Sequence, residues 1–98
     1  MKHLMISVVV AAGLAGTAHA QEVPFTDLNK TTCKEFVALP DLPVGLILHF
    51  ADGYMSGRAG KAPVYDPAGM DKIGERFGLY CGKNPDATVM SAVEYAWK

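Results

Sequence analysis

Cys33 and Cys81 are the only cysteines in a chain of 98 residues, and whether they are joined decides how small a core can hold the fold. The first twenty residues bear on that question. Lys2 supplies a positive start, Leu4 to Gly16 an apolar run, and Ala18-His19-Ala20 the small-x-small pattern of a cleavage site. Residues 1–20 therefore read as a secretory signal peptide cut between Ala20 and Gln21. The apolar run is shorter than the roughly 20 residues that spanning requires, which disfavours a membrane anchor, and no later segment suits a bilayer. Export would carry the chain to a compartment where disulfides persist.

The 78 residues from Gln21 onward suffice for one domain with a modest core. At that size burial leaves only about 3–5 kcal/mol of net stability, so a staple is expected. The two cysteines allow one intramolecular pairing, which encloses 47 residues. In the chain-entropy model such a crosslink contributes about 4 kcal/mol. A free reactive thiol and an intermolecular bridge are the rival readings. A metal centre is weaker, because His49 is the only histidine after residue 20 and zinc usually takes four ligands. No cofactor is expected.

Beyond residue 20, eight basic side chains face ten acidic ones, a net of about −2 with His49 neutral. That balance argues against nucleic acid as a partner, which would want a basic patch. With every carboxylate protonated and His49 charged, the same side chains sum to about +9. Strong acid transforms this surface.

Residues 21–30 show no sustained period and read as a lead-in. Asn29-Lys30-Thr31 matches a glycosylation sequon, a three-residue pattern common by chance. Thr32-Cys33-Lys34-Glu35 matches the capping box, predicting a short helix with Phe36, Val37 and Leu39 apolar that ends before Pro40. Asp41-Leu42-Pro43 offers an acceptor side chain and an early proline for a second start. That helix is predicted over Leu42 to Met55, dissolving in "SGRAGKAP" at 56–63. Asp66-Pro67 begins a third helix, with Met70, Ile73, Phe77 and Tyr80 as its inward stripe. Gly74 and Gly78, one turn apart on it, suggest the close approach of a second helix. Cys81 to Pro85 reads as a stop and a new start, followed by Val89, Met90, Val93, Ala96 and Trp97 at helical spacing. The expected fold is all-α: a single domain over 21–98, four helices and one staple.

Reactive groups do not converge in the pattern. Ser56 and Ser91 lack a nucleophile signature, and His49 has no evident orienting partner. Asp52, Asp66 and Asp71 could pair as acid and base, as could any three carboxylates of a helical protein. The glycines around 56–60 lack the strand-loop-helix context that cradles phosphate. An enzyme is not expected.

The stretch "PDLPVGLILHFADGY", Pro40 to Tyr54, is the unusual one. A surface helix normally carries one apolar stripe. Here Val44, Leu46, Ile47, Leu48 and Phe50 point nearly all the way round. Either this is a central helix wrapped on every side, or one side packs on the core and the other meets a partner.

"TTCKEF" at 31–36, the apolar run into "DGYMSG" at 52–57, and "YCGKNPDATVMSAVE" at 80–94 carry a wider likeness. With the cysteine spacing, the signal peptide and the short length, the chain resembles the HdeA/HdeB family of periplasmic acid-stress chaperones. The resemblance covers the domain after Lys30. It implies a helical domain whose Cys33 and Cys81 tie the first helix to a later one, and a homodimer near neutral pH. It implies that acid loosens the dimer, which then holds unfolding periplasmic clients without ATP and releases them on neutralisation. The surface shared by twin and client is expected at Phe36, Val37, Leu39, Val44, Leu46, Ile47 and Phe50. Carboxylates stabilised in the folded dimer would be the trigger, since their contribution is lost as protons bind. Asp41 and Asp52 flank the apolar run and are the candidates, with Glu35 next. An imidazole ordinarily titrates near 6.5, too high for His49 to be the sole switch below about pH 5. The resemblance departs at the C-terminus: better-known family members end in a lysine-rich tail that helps keep client complexes soluble in acid, and the Trp97-Lys98 end here leads to the expectation of a milder working range. A constitutive periplasmic binding or envelope-complex module, and a carrier of a small apolar ligand, are the alternatives on the same fold.

Overall fold

Thr32 and Glu35 start the first helix by satisfying each other's backbone. The Glu35 N–H donates to the Thr32 hydroxyl at 3.2 Å, and the Thr32 N–H donates to the Glu35 carboxylate at 3.0 Å. A computed structural model describes residues 22–98, so the expected signal peptide and the expected cut between Ala20 and Gln21 lie outside the described residues. Four helices follow in order: α1 (Cys33–Val37), α2 (Asp41–Arg58), α3 (Pro67–Lys83) and α4 (Val89–Ala96). No strand occurs among the described residues beyond an isolated bridge between Thr32 and Thr88.

That bridge joins two helix starts. The Cys33 and Lys34 N–H groups donate to the carbonyls of Ala87 and Pro85, at 2.8 and 2.9 Å. The Val89 and Met90 N–H groups donate to Thr31 and Leu28, both at 2.8 Å. Amides that would be orphaned at two helix N-termini are thus satisfied by each other's approach chains. Thr88 caps α4 by accepting from the Ser91 N–H at 3.1 Å. The start thus lies beyond Cys81 to Pro85, the stretch expected to hold both the stop and the new start. Arg76 holds the other end of α4, donating to the carbonyls of Tyr95 and Ala96 at 3.0 and 3.2 Å, where a cation also complements the helix dipole.

The core lies where α1, α3 and α4 meet. Phe36 and Phe77 pack edge to face with centroids 5.5 Å apart, a favoured aromatic arrangement. Val89, Ala92, Val93 and Ala96 close over them. The Cys33–Cys81 disulfide joins α1 to α3, with Cα atoms 5.2 Å apart and both residues buried. The staple and the all-α class are as expected from the sequence.

Helix α2 departs from expectation at both ends. It begins at Asp41 with Pro40 as its cap, and no side chain caps it; Asp41 instead sits in the first turn. It runs on through Arg58, three residues past the expected end. Gly60, at φ 68°, explains the extension. Its N–H donates to the Gly57 carbonyl at 3.1 Å, and the Lys61 N–H reaches Ser56 at 2.9 Å. This is the left-handed glycine that closes a helix one residue beyond its C-cap, here Ala59. Ser56 and Gly57 therefore belong to the final turn, and the connector is only 59–66. The close helix approach expected at Gly74 and Gly78 is absent: a Cβ on either would meet nothing within 4 Å.

Candidate functional site

Helix α2 is not a wrapped helix. Pro43, Ile47 and Ala51 point into the core, while Leu42, Leu46, Phe50 and Tyr54 are 48, 50, 66 and 49 % exposed. Those four recur every fourth position, and residues four apart are neighbours on a helix surface. They form a continuous apolar ridge along the outer side of α2. Val37, 57 % exposed, adds to the apolar surface on the short helix before it.

The ridge borders a cleft of about 460 Å³. Phe50, Tyr54 and Arg58 supply its α2 wall, Met90 and Glu94 its α4 wall, and residues 25–29 of the lead-in its third side. Phe25 stands at the rim almost fully exposed. Arg58 closes one end, paired with Glu94 at 3.5 Å and lying 5.5 Å from the centroid of the Tyr54 ring. The cleft sets aromatic and aliphatic side chains, Phe25, Leu28, Phe50, Tyr54 and Met90, beside the polar Thr26, Asp27, Asn29, Arg58 and Glu94. The exposed α2 ridge, rather than the cleft, is the contiguous apolar surface.

A scan against protein families matches this chain to the HdeA/HdeB family model over residues 3–91. The chain belongs to the HdeA/HdeB family. That family is one of acid-stress chaperones of the periplasm. No curated protein and no solved structure matches the chain.

Within this HdeA/HdeB domain the seven residues expected at a shared surface separate into three groups. Val37, Leu46 and Phe50 are exposed, and Leu39 and Val44 are half-buried against the core. Phe36 and Ile47 are buried in the core of a single chain, at 0 and 7 % exposure. A neighbour reaches those two only once that core opens. Leu42 and Tyr54, which are not among the seven expected there, complete the ridge. The four-residue repeat from Leu42 to Tyr54 is the signal that would have found them.

The acidic candidates sit in three different settings. The Glu35 carboxyl is held below its ordinary 4.5, first by the Thr32 N–H, then by the Thr32 hydroxyl, with Lys34 adding a smaller effect. Asp52 accepts the Trp97 indole N–H at 2.9 Å. Asp41 lies exposed in the first turn of α2, where a negative charge complements the helix dipole. Asp66 caps α3, accepting from the Gly69 N–H at 3.1 Å.

His49 has partners after all. Its Nδ1 lies 2.6 Å from the Gly45 carbonyl and its Nε2 lies 3.0 Å from the Tyr65 hydroxyl. A neutral imidazole donating from Nδ1 and accepting at Nε2 satisfies both. The pair seats the 59–66 connector against α2. Among the described residues, no group of three His, Cys, Asp or Glu side chains is placed to hold a metal ion, and no helix is long and apolar enough to cross a membrane.

Proposed function

We propose that this chain is an ATP-independent, acid-activated holdase of the periplasm. At neutral pH it forms a homodimer through the outer side of α2. In acid it loosens, holds unfolding proteins on the same apolar surface, and lets them go when the pH recovers. The observation that carries this reading is the ridge of Leu42, Leu46, Phe50 and Tyr54, from 48 to 66 % exposed on the longest described helix of a member of a family of acid-stress chaperones. Contiguous apolar surface of this kind marks an interface on a protein that must remain soluble. The charge balance supports the gating, since protonating ten carboxylates removes every negative side chain from the surface and leaves it cationic.

The test is light scattering from an acid-sensitive enzyme, with and without the mature protein, at pH values from 7 to 2. Suppression below about pH 5, where carboxylates begin to protonate, and none at pH 7 is the expected result. Scattering that the protein leaves unchanged at every pH overturns the holdase reading. Sedimentation over the same range should show mass falling from dimer to monomer as acid is added. A monomer at every pH removes the dimer.

A further inference from the structure

The two halves of α2 are held to the domain differently. Pro43, Ile47 and Ala51 anchor the first half by burial, and beyond Ala51 no residue of the helix is fully buried. Two side-chain bonds cross from that second half to α4 and its cap. The Trp97 indole N–H donates to Asp52 at 2.9 Å, and the Arg58 guanidinium donates to Glu94 at 3.5 Å. In both, the acceptor is a carboxylate. Glu94 and Trp97 lie beyond residues 3–91, the stretch that the family model matches. By contrast, α1, α3 and α4 are joined by the disulfide, by backbone hydrogen bonds and by the buried cluster around Phe36 and Val93. None of those bonds gains or loses a proton in acid.

We propose that Asp52 and Glu94 form an acid-released clasp that holds the C-terminal half of α2 against Trp97 and α4. Its opening uncovers Met55, Met90 and Trp97, which are half-buried when it is closed. The proposal names the regulation of the holdase surface and rests on that reading, but its test needs no client. Hydrogen bonds to an ionised acceptor are roughly twice as strong as neutral ones. A protonated Glu94 offers Arg58 no charge, and a protonated Asp52 accepts the indole more weakly. Both changes act in the same direction: the clasp is closed above the carboxylate range and opens as pH falls through it.

The surroundings contain other ionisable groups. Asp52 shares one cavity with His49 on its own helix and with Lys61 and Tyr65 on the connector, and a second cavity with Asp66 at the start of α3. Glu94 faces Arg58 and Tyr54 on α2, and Asp27 on the lead-in. Amines, phenols and guanidinium groups ordinarily keep their charge state from acid to neutral pH, and only an imidazole ordinarily titrates between the carboxylates and neutrality, so the pH of the opening separates a histidine origin from an acidic one.

Trp97 is the only tryptophan of the chain, so tryptophan fluorescence reports the surroundings of this one side chain. The mature, disulfide-intact protein should show a red shift of emission centred near pH 4, where carboxylates as a class titrate. Asp52→Asn with Glu94→Gln mimics the protonated acids. That variant should emit at pH 7 as the wild type does in acid, bind several-fold more of an apolar dye at pH 7, and lose the transition. A wild-type-like titration of the double variant overturns the clasp, and so does a wild-type transition centred near 6.5. Should the double variant lose helix content by circular dichroism, Trp97→Phe provides the second route, since it removes the donor and keeps an aromatic ring. Amides 52–58 should then exchange about tenfold faster at pH 7 while those of α3 and α4 do not; unchanged exchange overturns the proposal. A failed client assay would leave these readouts intact, and a pH-invariant Trp97 would leave the holdase reading intact, so the two fail separately.

Discussion

Reduction of the Cys33–Cys81 bond frees two residues 48 positions apart. In the chain-entropy model, opening a loop of that length returns to the unfolded chain about 4 kcal/mol of conformational freedom. At about 0.05–0.15 kcal/mol per residue, the 77 described residues would have only about 4–12 kcal/mol in all. The crosslink thus accounts for between a third and the whole of the folding free energy. The assay is urea unfolding at pH 7, followed by far-ultraviolet circular dichroism, on the oxidised and the reduced mature protein. With a slope of about 1 kcal/mol per molar urea for a domain this small, the midpoint should fall by about 3–4 M. Much of the reduced chain should then be unfolded in the absence of denaturant. Cys33→Ala with Cys81→Ala should fall somewhat further, because both sulfurs are buried and their removal leaves space behind. A difference below about 1 kcal/mol between oxidised and reduced protein refutes the reasoning, for it would mean that the core alone suffices at this chain length.

Four other substitutions probe separate parts of the fold. Phe36→Ala removes a fully buried ring packed on Phe77 and should cost about 3–5 kcal/mol, read by the same urea series. Leu46→Asp alters a side chain that is half exposed, so it should leave the circular dichroism spectrum intact while sedimentation at pH 7 shows monomer; a folded dimer would move the interface off the α2 ridge. Glu35→Gln keeps the capping box geometry but loses the charge. Because the folded Glu35 lies below its ordinary 4.5, its contribution is present above that pH and is lost as pH falls through the lowered value. The variant should therefore lose stability less steeply than the wild type below about pH 4.5, and superimposable acid-denaturation curves would remove Glu35 from the trigger. Gly60→Ala forces a Cβ into a left-handed conformation with open space around it, so the cost is conformational alone, about 1–2 kcal/mol, and the thermal midpoint should drop by several degrees.

Local chemistry made most of the fold readable. The Thr32–Glu35 box, the Asp66-Pro67 start and the Met70-to-Tyr80 stripe all depend on residues within a few positions of one another. The places where reading failed depend on partners elsewhere. Ser56 and Gly57 look like a loop because their neighbours are glycine-rich, and only the cap geometry at Gly60 reveals that they complete a turn. Gly74 and Gly78 share a helical spacing with packing motifs, yet no helix arrives there. Phe36 and Phe50 are equally apolar residues on successive helices. Their burial is opposite because Phe36 faces Phe77 across the staple and Phe50 faces outward, a distinction that no one-dimensional pattern contains. The Asp52–Trp97 bond joins residues 45 positions apart and was invisible for the same reason. Asp52 was nevertheless singled out, because a carboxylate beside an apolar run is where protonation has most effect.

The division of labour between the staple and α2 bears on how such a domain can open without being destroyed. A holdase that must act in acid and recover afterwards cannot unfold completely, since a fully unfolded chain joins the aggregate it should prevent. Here the carboxylate contacts that cross between helices hold the far half of α2, whereas Glu35 and Asp66 cap the starts of their own helices, α1 and α3. Acid weakens what holds the far half of α2, at Asp52 and Glu94, while the covalent bond and the buried α1–α3–α4 cluster contain no group whose protonation would loosen them. The apolar surface released is therefore tethered to a folded remnant, and the register for refolding is preserved by Cys33 and Cys81. It follows that oxidised and reduced protein should differ most after a cycle from pH 7 to pH 2 and back. The oxidised chain should regain its α2 signal fully, and the reduced chain should regain less on each cycle. Equal recovery of the two would show that the remnant persists without its staple, and the tether would then have to be the core packing around Phe36 and Val93 alone.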